Sequence, residues 1–179
     1  MQLNKLSAMA MTLGVLSSTS VMADSGGTIT FVGEVLATTC NVTLDSSSSA
    51  NGTVSLPSAL LSDLDIDGKF AGETSFTLNL TGCVQPSHRS APPIPFAYFS
   101  GGNSANRLDN TKKSDGATNV DIELLDSQKN IIKIGDVNQQ RTQAITGTGK
   151  LQYYARYRAT GKATAGGVSS MVSYNIQYK

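Results

Sequence analysis

Apolar and polar residues alternate with a period of two along most of this chain. From Gly26 to Val35 (Gly-Gly-Thr-Ile-Thr-Phe-Val-Gly-Glu-Val) Ile29, Phe31, Gly33 and Val35 share one side, and Thr28, Thr30, Val32 and Glu34 the other. Successive side chains of an extended chain point to opposite faces, so this is the period of a half-buried strand. An extended segment carrying Cys40 runs on to Leu44, and Thr53-Val-Ser-Leu56 alternates again. Thr74–Cys83 gives the cleanest internal strand, with Phe76, Leu78 and Leu80 on one face. Further strands are predicted at Phe96–Phe99, Val120–Leu125, Ile131–Ile134, Gln152–Ala159 and Val168–Tyr178, the last placing Val172, Tyr174, Ile176 and Tyr178 in one register. Between them lie polar or small-residue turns at Asp45–Gly52, Asp126–Asn130 and Gly161–Gly167, and a polar loop at Gly101–Gly116. Val84–Pro95 holds four of the five prolines, which bars it from a central strand and makes it a loop. Pro57–Gly72 sets Leu60, Leu61, Leu64 and Ile66 among acidic residues and fits either a single helical turn or an ordered loop. Many short strands with almost no helical period predict an all-β antiparallel sandwich.

The first residues change the picture of where the chain works. Lys5 precedes a small, apolar run from Leu6 to Leu16, and Val21-Met-Ala23 supplies a small-x-small cleavage pattern. The apolar run falls short of the roughly 20 residues a membrane span needs. Residues 1–23 therefore read as a secretory signal, with Asp24 as the mature start. Losing Lys5 leaves 13 basic against 13 acidic residues. A neutral chain of 156 residues is one domain's worth, and its charge gives it no attraction to nucleic acid or to an anionic membrane. No internal repeat or low-complexity linker marks a second domain. Two cysteines, Cys40 and Cys83, in an exported chain argue for a disulfide.

Candidate chemistry adds little. The one histidine, His88, sits in the proline-rich loop beside Ser87, Arg89 and Ser90, and no Gly-x-Ser-x-Gly nucleophile elbow occurs. One histidine and two cysteines expected to pair make no zinc set. Asp63-Leu-Asp-Ile-Asp67-Gly68 opens like a calcium loop, yet the twelfth position is Thr74 and Glu73 comes one residue early. Gly147-Thr-Gly-Lys150 lacks both the first glycine and the final Ser/Thr of a phosphate loop. The expectation is a chain without enzymatic activity, metal or cofactor.

Several stretches together resemble the pilin subunits of chaperone–usher fimbriae, the group of type 1 and P pilus rods. They are Gly27–Val35 followed by Cys40, Phe76-Thr-Leu-Asn-Leu-Thr-Gly-Cys83, Asn119–Asp126, Tyr154–Gly161 and Tyr174-Asn-Ile-Gln-Tyr178-Lys179, with Gly166 fourteenth from the end. The resemblance implies an incomplete immunoglobulin-like β-sandwich, the pilin fold, completed by a donor strand from another subunit. It divides the chain into signal 1–23, N-terminal donor-strand extension 24–36 and pilin domain 37–179. Ile29, Phe31 and Val35 would fill a neighbour's groove, and Gly33 would sit where a side chain clashes with its floor. Gly166, Val172, Tyr174, Ile176 and Tyr178 would form the acceptor groove, gripped first by a periplasmic pilus chaperone and then exchanged at an outer-membrane usher. The implied partners are further copies of the chain, other fimbrial subunits including a tip adhesin, and no nucleic acid. The implied destination, by way of the periplasm, is the bacterial cell surface. An alternative reading makes the domain itself a carbohydrate-binding adhesin module, using Tyr98, Tyr153 and Tyr157 in the absence of tryptophan.

Overall fold

Two chain-distant strands, β3 (Pro95–Ser100) and β9 (Ser173–Tyr178), pair antiparallel as a sheet of their own. The computed structural model describes residues 30–32, 40–83, 94–139, 145–146 and 149–178. The chain separates into two units, Met1–Val35 and Leu36–Lys179. In the first unit Thr30–Val32 belong to no strand, and Phe31 and Val32 are 90% and 91% exposed. Ile29, Gly33 and Val35 of the predicted opening strand lie outside the described residues, as do His88 and most of the proline-rich loop.

The second unit is all-β, as the alternation predicts. Its larger sheet runs β1 (Asn41–Leu44), β2 (Phe70–Thr81), β8 (Lys150–Ala159), β5 (Val120–Leu125), β4 (Leu108–Asp109). Two short strands attach to it, β6 (Ile131–Ile132) on β5 and β7 (Ile145–Thr146) on β8, and all pairs are antiparallel. Pro57–Gly72, for which the sequence allows two forms, contains a 3-10 turn at Leu61–Asp63 within an irregular loop, and its last three residues, from Phe70, already belong to β2. Asp65 there pairs with Lys69 at 2.8 Å. Thr53–Leu56 keeps its alternation, Val54 and Leu56 being half-buried, without joining a sheet.

Leucine and aromatic residues from alternate strand positions meet between the sheets. Phe76, Leu78 and Leu80 of β2, Leu151 and Tyr153 of β8, Ile122 and Leu124 of β5, and Ala97 and Phe99 of β3 form one buried cluster. Phe99 packs edge-on against Tyr153, with ring centres 5.0 Å apart. On the other face of the larger sheet, long side chains cover what would otherwise be wet. Arg156 Nε and Nη2 both donate to Glu123 Oε2, at 2.8 and 2.6 Å, and the Arg156 guanidinium lies 3.8 Å over the Phe70 ring. Lys129 pairs with Glu73 and covers the Tyr154 ring. Charge pairing is what lets Glu123, 2% exposed, be buried in β5. The predicted Cys40–Cys83 disulfide is formed, with Cα atoms 4.2 Å apart. It closes the end of the β1–β2 ladder, where Asn41 faces Thr81.

Burial pushes the Tyr153 hydroxyl up to about 12, partly offset by the hydrogen bond from Ala97 N–H. The folded state thus holds this proton more tightly than the unfolded chain. Its contribution is complete below the ordinary tyrosine value of 10 and is lost as pH rises from there towards 12. Denaturant unfolding at increasing alkaline pH should show stability falling by up to about 1.4 kcal/mol per pH unit from this group, and Tyr153→Phe should flatten the fall. An unchanged slope in Tyr153→Phe would count against that assignment.

Candidate functional site

Among the described residues the small sheet has two strands, and its hydrogen bonds show which backbone groups face away from their pairing. Phe99 N–H donates to Gln139 Oε1 at 2.9 Å, and Phe99 C=O accepts from Gln139 Nε2 at 2.8 Å and from Gly135 N–H at 3.0 Å. Ala97 N–H donates to the Tyr153 hydroxyl at 3.0 Å. Residues 97 and 99 therefore turn their backbone groups away from β9. In an antiparallel ladder, opposed residues either exchange both bonds or neither, alternately. The opposed pairs Ala97–Ile176 and Phe99–Tyr174 are of the second kind. By the same alternation, the N–H and C=O groups of Tyr174, Ile176 and Tyr178 point to the far edge of β9, which has no strand partner among the described residues.

That edge borders an open seam in the sandwich. Val172, Tyr174 and Ile176 pack half-buried on the core, with Val42, Val54 and Leu56 from the first part of the domain. Two side-chain contacts reach from β9 towards that part. Tyr174 Oη donates to Ala50 C=O at 2.8 Å, and Tyr178 Oη lies 3.1 Å from Cys40 Sγ. Partial burial raises the pKa of both tyrosines, so the neutral, donating hydroxyl is the form present at neutral pH. Unpaired backbone beside half-covered apolar side chains is what a sandwich shows when one strand is missing.

A cavity of about 400 Å³ lies among Leu56, Leu64, Tyr157, Gly166 and Val168. Gly166 is required by close approach, because a Cβ there would come within 2.4 Å of Ala117 N and 2.5 Å of Gly116 C. Gly167 forms a bridge with Gly116 at the same crossing.

The family profile described as fimbrial protein matches residues 29–179. The chain belongs to the fimbrial protein family. This fimbrial subunit is 39% identical to the F17 fimbrial protein of Escherichia coli, over 93% of its own length and 96% of that protein's. It is 36% identical to the major fimbrial subunit SMF-1 of Stenotrophomonas maltophilia strain K279a, over 85% of its own length and 92% of the other's. Its fold is that of the P pilus rod subunit PapA (TM-score 0.56, 19% identity, 85% of this chain and 100% of that one). It also matches a subunit of a chaperone–usher pilus whose structure concerns rod uncoiling (TM-score 0.60, 19% identity, 90% and 100%). The fold is thus the incomplete immunoglobulin-like sandwich of the pilins.

In the fimbrial subunit, Tyr174, Ile176 and Tyr178 come together on β9, with Val172 just ahead of its first residue, Ser173. Gly166 lies apart, at the cavity. The donor residues Ile29, Gly33 and Val35 are outside the description, and Phe31 is exposed. The three tyrosines considered for sugar stacking do not make a shared surface. Tyr153 is 2% exposed in the core, Tyr157 lines the cavity, and Tyr98 donates to Gly135 C=O at 3.4 Å. Sequence reasoning did not foresee the cavity, with Leu56, Leu64 and Val168 on its wall beside Tyr157, nor Gln139 at β3. Leu56 and Leu64 carry an apolar signal, whereas Gln139 carries none.

Proposed function

We propose that the chain is a structural subunit of an adhesive fimbria, polymerising by donor-strand exchange. The observation that supports it is the far edge of β9, which has no strand partner among the described residues, with Tyr174 and Ile176 half-buried beside it. In this reading residues 24–36 of one copy lie along β9 of the next, where strand addition gives a ladder of backbone bonds and Ile29, Phe31 and Val35 give apolar contact. Gly33 passes where the groove is shallowest. Residues 1–23 direct export and are removed. A periplasmic chaperone holds β9 until an outer-membrane usher exchanges it for the neighbour's extension. The finished fibre stands on the bacterial surface and carries a tip adhesin, so adhesion is served by reach and not by a pocket in this domain.

Deleting residues 24–36 tests the reading. The shortened chain should still be captured by the chaperone at wild-type level, because β9 is intact, yet should be unable to extend a fibre, having no segment to place along a neighbour's β9. Pull-down of the complex and negative-stain microscopy of cells with the intact export cluster read the two effects separately. Normal fibres from the deletion would refute donor-strand exchange.

A further inference from the structure

The small sheet has a second edge, along β3, and its outward N–H groups are taken. The positions along β3 that face away from β9 are Pro95, Ala97 and Phe99. Pro95 has no N–H to offer. Ala97 N–H is taken by the Tyr153 hydroxyl at 3.0 Å, and the Gln139 carboxamide spans both polar groups of Phe99, at 2.9 and 2.8 Å. A carboxamide presents one acceptor and one donor side by side, as a peptide group does. Gln139 therefore does to Phe99 what the backbone of a neighbouring strand would do. It is 2% exposed, which for a glutamine side chain marks a group fully engaged by its partners. Gly135 N–H adds a second bond to Phe99 C=O. Asp136 C=O accepts from Gln139 N–H at 3.0 Å, a turn that holds the side chain's own backbone in place.

The two edges of one two-stranded sheet thus differ in kind. We infer that Gln139, with Tyr153, is a strand-mimicking plug that closes β3 against the N-terminal extension of a second copy, leaving the small sheet a single acceptor edge, β9. This inference rests on donor-strand exchange and adds that the exchange is confined to β9. An edge strand with free N–H and C=O groups accepts any extended segment of fitting pattern, and every neighbouring copy carries one. With both edges open a subunit would take two donors, and the polymer would branch. With one closed, growth is linear and has a direction. Gln139 and Tyr153 act as positioning residues: they set where a donor binds without touching it.

The test counts donors. The chaperone-bound full-length subunit is incubated with a synthetic peptide of residues 24–36, and bound peptides per chain are read by native mass spectrometry. The wild-type chain should exchange its chaperone for one peptide. Gln139→Ala/Tyr153→Phe, which frees the Ala97 and Phe99 N–H groups, should bind two, and its fibres should branch under the microscope. One peptide on the double variant would overturn the plug and leave donor-strand exchange standing. No peptide on the wild-type chain would overturn donor-strand exchange itself. A second measurement needs no variant. Amide hydrogen exchange in the wild-type subunit should protect Phe99 and Ala97 as strongly as the paired positions of β8, and rapid exchange there would sink the plug.

Discussion

Residues 24–36 appended after Lys179 through a flexible linker should turn the subunit into a stable monomer that no longer polymerises. The linker starts one residue beyond the end of β9, so the grafted segment can run back along the open edge. Burial of Ile29, Phe31 and Val35 at roughly 1.5–3 kcal/mol each contributes about 5–9 kcal/mol. Each backbone bond to Tyr174, Ile176 or Tyr178 adds roughly 0.5–1.5 kcal/mol. Ordering the segment costs about 1–2 kcal/mol per residue, which over its length is at least as large as these gains. The largest change should therefore appear in the unfolding rate, because a closed sandwich must lose its last strand before it opens. Size-exclusion chromatography and denaturant-jump kinetics, comparing the grafted chain with the same chain carrying a scrambled graft, give the answer. Equal unfolding rates would contradict completion of the fold by this segment.

The second large effect should come from the Cys40–Cys83 bridge. Its half-cystines are separated by 43 positions, and closing such a loop in the unfolded chain is worth about 4 kcal/mol in the chain-entropy account. A domain of this size has only about 5–15 kcal/mol of net stability. Cys40→Ser/Cys83→Ser should lose a large share of it, and the same loss should be a larger share before a donor strand is in place. The bridge has a local task as well. Cys40 precedes β1 and Cys83 follows β2, and Tyr178 Oη touches Cys40 Sγ at 3.1 Å, so the disulfide sits beside the end of β9. Urea titration of the grafted monomer with and without the cysteines measures the cost. A loss below about 1 kcal/mol would show that the chain-entropy account fails here.

The two edges of the small sheet give the proposed polymer its logic. An unpaired strand is ordinarily a hazard that a fold must cover. Here β3 is met by one carboxamide and one hydroxyl and begins on a proline without an N–H, and the far edge of β9 has no strand partner among the described residues. The same alternation that aims the Phe99 backbone at Gln139 aims the Tyr174 and Ile176 backbone outward. A shift of one residue in the β3–β9 register would bury the acceptor groups and expose the others. Register is held by apolar contact, since Phe99 packs on Tyr174 with ring centres 6.3 Å apart and both meet the core.

The sequence by itself determined what depends on neighbours along the chain. Period-two alternation placed β2, β5 and β8 and the apolar face of Phe76, Leu78 and Leu80, because side-chain direction in a strand follows directly from position. It put Tyr174, Ile176 and Tyr178 on one side of the last strand for the same reason. An even pair of cysteines after an expected export signal was enough to foresee the bridge. Only the tertiary structure decided which strands adjoin, since β3 meets β9 across more than seventy residues and nothing local encodes that pairing. It also decided that Glu123 is buried, through Arg156 and Arg158 on the adjacent strand. Gln139 shows the limit most plainly. One of two adjacent glutamines in a polar stretch reads as solvated, and its role exists only because folding brings it to the edge of a strand forty residues away.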